Sequence, residues 1–214
     1  MTPSCESAAP RRGRRSPEPP RRETMRAFLT RYPSTVMRIP YRAMLLFVVR
    51  HAKAEDRSEE WSEDSQRPLT RSGAKKFKRI ASRVGGLFDR PTVVLASSAV
   101  RAWETARILE SAGDWPAPTR FAALECDHSD GMAETLQRLK ESGEPALALV
   151  GHEPMLSELI SDLLGSAEPS IVMNKGAIAV LHLPSFSFDD ANSSGLFGTA
   201  SLCALVDPKW IGAK

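Results

Sequence analysis

Apolar positions along the chain follow two alternating patterns from Met44 onward. Residues 44–49, 92–96 and 146–150 are short continuous apolar runs with many β-branched side chains. Runs of this kind predict strands of a parallel sheet that is buried on both faces. Between them apolar residues recur every three or four positions, which predicts helices. Thr70 or Ser72 can cap the first, whose apolar side is Ala74, Phe77, Ile80, Ala81 and Val84 and which stops at Gly85-Gly86. Val100, Trp103, Ala106, Ile108 and Leu109 mark a second helix. Met132, Leu136 and Leu139 mark a third, stopped by Gly143. Leu156, Leu159, Ile160, Leu163 and Leu164 mark a fourth, stopped by Gly165. Residues 177–183 and 201–206 form two late strands with no helical period between them, expected to pair as a hairpin at a sheet edge. Strands alternating with helices predict an α/β fold, a three-layer α/β/α sandwich on a mostly parallel central sheet.

The first 43 residues break this pattern. They hold ten arginines, no lysine and three acids (Glu6, Glu18, Glu23), a balance of +7, and 7 of the 16 prolines. The other 171 residues hold 19 basic and 23 acidic side chains, so the chain's net +3 belongs to this extension. Such a segment buries too little apolar surface to offset its chain entropy and is expected to be disordered. A transit peptide fits only in part, because of the acids. A twin-arginine export signal is excluded, since Arg26, Arg31, Arg38 and Arg42 interrupt every apolar stretch. A basic arm for nucleic acid is possible, but the Pro-rich arginine tract of residues 11–22, which has no aromatics, reads as a solvated linker. The remaining reading is a misplaced start, with the protein beginning at Met44. The domain itself is expected over 44–214.

Other classes fall away quickly. The longest apolar run, 43–49, has seven residues, far short of the roughly 20 that span a bilayer. Cys5, Cys126 and Cys203 are too few and too scattered for a disulfide framework or a zinc motif. A reducing, cytoplasmic location is the expectation.

Candidate chemistry gathers where the predicted strands end. Arg50-His51 follows the first strand, Ser97-Ser98-Ala99-Val100-Arg101 follows the second, and Gly151-His152-Glu153-Pro154 follows the third. Pro154 suits a first helical turn. Ligands of open α/β sheets bind at the carboxyl ends of strands, and three such ends here each deliver an Arg, a His or both. A metal site is one reading of two histidines. Two guanidiniums would repel a cation, however, and neither His128 nor His182 stands at ligand spacing, so no metal is expected. Arginine forks match phosphate oxygens. A histidine held between them can attack phosphorus and carry the phosphoryl group, and the second can stabilise charge on the equatorial oxygens.

The residues also carry a resemblance. "MLLFVVRHAKAE" (44–55) resembles the opening strand and Arg-His motif of the histidine phosphatase superfamily. "RPLTRSGAKKFKRIA" (67–81), "LASSAVRAWETARIL" (95–109) and "VGHEPMLSELI" (150–160) follow in that family's order. The short form with "RPLT" is similar to the bacterial phosphohistidine phosphatase branch of SixA type. The resemblance covers nearly all of 44–214 and none of the extension. It implies that His51 is the phosphorylated nucleophile, that Arg50 and Arg101 grip the phosphoryl oxygens, that His152 completes the pocket, and that Arg67 lies near the phosphate. No cofactor is implied.

Two positions depart from the superfamily's pattern. Its usual glycine after the nucleophile is Ala52, which keeps the small size. Its general acid would fall at Glu125, with Asp127 as the nearby rival, each alternatively a solvated loop carboxylate. That matters for substrate. An alkoxide leaving group needs a proton donor, whereas an imidazole with pKa roughly 6.5 leaves readily once protonated. No stretch is long enough for an inserted lid, and an open pocket can admit a phosphohistidine on a folded protein. The expected function is hydrolysis of phosphohistidine on a phosphorelay or phosphotransfer protein. The alternatives are a small-molecule phosphomonoesterase acting on phosphate esters, a mutase, or a phosphate-binding module without turnover. Neither nucleic acid nor membrane is expected as a partner, and the sequence does not specify an oligomeric state.

Overall fold

The computed structural model describes residues 44–125, 129–169, 171–183 and 196–209. Expectations for 1–43, Cys126, Asp127 and His128 lie outside the described residues. Six strands make one sheet: β1 (Met44–Arg50), β2 (Val93–Ala96), β3 (Thr119–Arg120), β4 (Ala146–Gly151), β5 (Ile178–Leu183) and β6 (Ser201–Val206). Their order is β3-β2-β4-β1-β5-β6. β1, β2, β3 and β4 run parallel to their neighbours among themselves, and β5 and β6 join antiparallel. The helices are α1 (Arg71–Val84), α2 (Val100–Gly113), α3 (Ser129–Glu141) and α4 (Met155–Leu164).

β1 is the spine of the sheet. It pairs with β4 from Leu45↔Ala146 to Arg50↔Gly151, and with β5 from Met44↔Leu183 to Val49↔Ile178. With hydrogen bonds on both edges and helices on both faces, every position must be apolar, which explains a continuous run rather than alternation. Successive side chains still point to opposite faces. Leu45, Phe47 and Val49 pack with Phe77, Ile80 and Val84 of α1 and Ala102, Ala106 and Leu109 of α2. Met44, Leu46 and Val48 pack with Leu139 of α3 and Leu156, Leu159, Ile160 and Leu163 of α4. These two cores are the interfaces of a three-layer α/β/α sandwich.

The local signals place the elements with small differences. Thr70, not Ser72, caps α1, its side-chain oxygen accepting from Gly73 N at 2.9 Å. Pro154 takes the capping position of α4 instead of its first turn, and Gly165 ends that helix in the left-handed region at φ 76°. The late strands do form an edge hairpin. β3 has no sequence signature, being two exposed residues that add to the far edge beside β2. Among the described residues, no helix is long and apolar enough to cross a membrane.

Phe47 links the sheet to its α1/α2 layer. Fully buried, it meets Trp115 and Phe88 edge-on at ring-centroid distances of 5.0 and 6.1 Å. Phe47→Ala should therefore lower the unfolding free energy by about 3–5 kcal/mol, measured by urea denaturation. A loss below about 1 kcal/mol would contradict this packing.

Candidate active site

The chain leaves β1 at Arg50 and enters a tightly bonded loop. His51 N donates to Gly151 O at 3.0 Å, and Gly176 N donates to both Arg50 O and His51 O, at 3.2 and 2.9 Å. Gly176 sits at φ 82°, and a Cβ there would come within 3.2 Å of Phe77 and 3.4 Å of Pro208, so both conformation and space require glycine. On the other side Ala52 N donates to Thr105 Oγ1 at 3.0 Å, and that hydroxyl donates to Arg101 O at 2.6 Å. The Arg-His loop of β1 is thereby tied to the first turn of α2.

One bond sets the state of His51. Its Nδ1 lies 2.7 Å from the Ala52 carbonyl, which can only accept, so Nδ1 carries the hydrogen and Nε2 keeps the lone pair. The ring is buried and stands 5.1 Å from that of His152, centroid to centroid. His152 Nε2 is 2.9 Å from Ser97 Oγ, which already accepts from Ala99 N at 3.2 Å. The serine hydrogen can donate to Nε2, and in that tautomer the His152 proton sits on Nδ1. That Nδ1 is buried without a protein partner, as are Arg50 Nε and Arg101 Nε.

Both imidazoles resist protonation. Burial is the main cause for His51, whose pKa falls to about 3; the Ala52 bond opposes this, and the charges of His152, Arg101 and Arg50 add to it. Burial and then Arg101 lower His152 to about 4, against the pull of Asp64. Two neutral imidazoles and two guanidiniums thus meet where three buried nitrogens lack a partner among the described residues. A phosphoryl group supplies acceptor oxygens and negative charge together.

Arg50 is anchored by Nη1 donating to Met173 O at 2.5 Å. Arg101 is anchored by Asp64, with Nη1 donating to its backbone oxygen at 2.7 Å and Nη2 3.0 Å from Oδ2. Asp64 also holds Arg67, with Nη2 2.8 Å from Oδ1, and the exposed Arg57 at 2.9 Å. Burial alone would raise the Asp64 carboxyl, but the Arg57 hydrogen bond and the charges of Arg101, Arg67 and Arg57 outweigh it and hold it below the usual range. Arg67 further donates to Glu55 O at 2.6 Å. Of the residues singled out in the sequence, His51, Arg50, Arg101 and His152 come together, and Arg67 joins them through Asp64. Glu125 is placed differently. Its Oε1 accepts from Ser98 N at 3.0 Å, at the entry to α2. Asp64, Ser97 and Thr105 carry structural weight that the sequence pattern does not reveal. For Asp64 the single signal is its spacing of three from Arg67 in an otherwise acidic, exposed stretch. Among the described residues no three His, Cys, Asp or Glu side chains gather as a metal site.

Residues 46–130 match the family model described as histidine phosphatase superfamily (branch 1). An uncharacterized protein of Picosynechococcus is 31% identical over 170 residues, covering 78% of this chain and 99% of that protein. The chain belongs to the histidine phosphatase superfamily. A phosphohistidine phosphatase SixA homolog of Haemophilus influenzae is 28% identical over 138 residues, 59% of this chain and 80% of that one. Among solved structures, the protein histidine phosphatase SixA complexed with tungstate shares the fold with a TM-score of 0.64 at 23% identity, covering 79% of this chain and 100% of that chain. The matched stretch includes the Arg50-His51 end of β1 and Arg101 of α2, and the chain is a phosphatase.

Two outcomes follow from this geometry. A histidine with a folded-state pKa below its unfolded value of about 6.5 leaves the unfolded chain binding more protons. Stability should be undiminished above that pH and fall as pH drops toward 4 and 3, with His51 and His152 still neutral by NMR at pH 5.5. Titration of either ring near 6.5 in the folded protein would contradict the burial argument. Asp64→Asn removes the charge that anchors Arg101 and Arg67. It should lower kcat/KM for any phosphorylated substrate about tenfold, discounting the bonds for partial exposure. Unchanged kinetics would remove Asp64 from the site.

Proposed function

We propose that this phosphatase hydrolyses phosphohistidine on a cytoplasmic phosphorelay or phosphotransfer protein, with His51 as the nucleophile. The observation that carries the reading is the fixed His51 tautomer, which leaves a neutral Nε2 lone pair within the field of Arg101 and Arg50. Nε2 attacks phosphorus, a P–N bond to His51 forms, and the P–N bond to the donor imidazole breaks. The donor departs as neutral imidazole, carrying its own proton. Water then attacks the phosphorylated His51, its oxygen joining phosphorus as the second P–N bond breaks, and inorganic phosphate takes up the proton. Arg50, Arg101 and the Nδ1–H of His152 bind the equatorial oxygens, where charge is spread in the transition state. Arg67 acts through Asp64, holding Arg101 in place.

The leaving group favours phosphohistidine over an alcohol ester. Glu125 is exposed, and its Oε1 accepts from Ser98 N at the entry to α2. An imidazole leaving group needs no separate proton donor there; an alkoxide does.

The test compares kcat/KM on a panel of phosphohistidine proteins and small alkyl phosphate esters. The best phosphohistidine protein should exceed every ester by about 100-fold or more, on the scale of one missing general acid. His51→Ala should abolish turnover of both, and Glu125→Gln should leave phosphohistidine hydrolysis within about twofold. An alkyl ester turned over as fast as the best phosphohistidine protein would assign a small-molecule phosphomonoesterase instead. A 100-fold loss in Glu125→Gln on esters alone would make Glu125 their general acid.

A further inference from the structure

A second cleft opens on the same edge of the sheet, on the β5/β6 side of the Arg-His loop. Its volume is about 460 Å³, within the range of small-molecule sites. Four separate segments build it: Arg50, Ala52 and Lys53 at the end of β1, the first turns of α1, the turn entering β5, and Asp207–Lys209 after β6. The floor is apolar, with Phe77 and Ile80 each 1% exposed and Pro208 buried. The rim is cationic. Lys53, Lys76, Lys175 and Lys209 all line the cleft and are all exposed.

This concentration of charge is not what the composition would distribute. The chain has eight lysines, and residues 44–214 carry more acids than bases, yet half of the lysines stand around one cleft. None of the four takes part in an ion pair among the described residues. The cleft's one carboxylate, Asp207, offsets a single one of these charges and is held by neutral donors rather than by a lysine. Its Oδ2 accepts from Asn174 Nδ2 at 2.5 Å and its Oδ1 from Lys209 N at 2.8 Å. The amino end of α1 faces the same space through Ser72, Gly73 and Lys76, and no acidic residue in its first turn offsets the positive end of the helix. A concave, low-dielectric floor focuses the field of such a rim. Ammonium groups on long flexible stems from separate segments suit several anionic groups at once, in no single fixed geometry.

We propose that this cleft, which shares Arg50 with the active site but is not lined by His51, Arg101 or His152, is a binding site for a small polyanion bearing two or more phosphate or carboxylate groups. The site does not depend on the phosphohistidine reading, because its occupancy is read by binding alone. Tripolyphosphate and citrate serve as the phosphate and carboxylate probes, titrated calorimetrically into the full chain, into a Lys76→Ala/Lys175→Ala double variant, and into Arg101→Ala. At least one probe should bind the wild type at micromolar to millimolar concentration and weaken about tenfold or more in the lysine variant. The same probe should change less than about threefold in Arg101→Ala. Hydrolysis of an aryl phosphate by the lysine variant should stay within about twofold of wild type, which also reports that it is folded. Failure of both probes to bind the wild type would overturn the proposal. So would an affinity that survives loss of the lysines or that falls with Arg101.

Discussion

A single carbonyl oxygen, that of Ala52, decides which nitrogen of His51 carries the proton. With Nδ1–H committed to it at 2.7 Å, Nε2 keeps its lone pair in a buried pocket. The rest of the site keeps that bond in place. Gly176 fixes the carbonyls of Arg50 and His51 from one side, and Thr105 fixes the Ala52 amide from the other before passing its hydrogen to Arg101 O. The strand that carries the proposed nucleophile and the helix that carries the second arginine are therefore one hydrogen-bonded unit. Little reorganisation is left for the moment of reaction, which is where electrostatic catalysis gains most.

The electrostatics follow from the same burial. Packing two imidazoles beside two guanidiniums makes a further positive charge costly, so both histidines stay neutral well below their ordinary range. The site is thus poised for an anion rather than a proton. Asp64 restrains the surplus of positive charge without cancelling it, since one carboxylate serves Arg57, Arg67 and Arg101. A dianionic phosphoryl group is the natural complement.

Much of the fold was legible because burial on two faces leaves a plain mark. β1, β2 and β4 read as unbroken apolar runs, and α1, α2 and α4 as 3.6-residue stripes. The convergence of Arg50, His51, Arg101 and His152 was legible because strand ends converge by topology, so adjacency to a strand implied adjacency in space. β3 escaped because two exposed residues carry no period. Asp64 escaped because its role comes from a loop folding back onto Arg101, a contact 37 residues away that local pattern does not encode. Glu125 was legible as a carboxylate near the site, but its partner is a backbone amide, and no sequence motif announces that.

The central claim concerns which atom of which histidine takes the phosphoryl group. Its most direct test is the position of phosphorus in the trapped intermediate. Rapid quench under alkaline conditions, followed by phosphorus NMR and peptide mapping, distinguishes the two ring nitrogens and the two histidines. The account predicts phosphorus on Nε2 of His51. Phosphorus on Nδ1, or on His152, would contradict it.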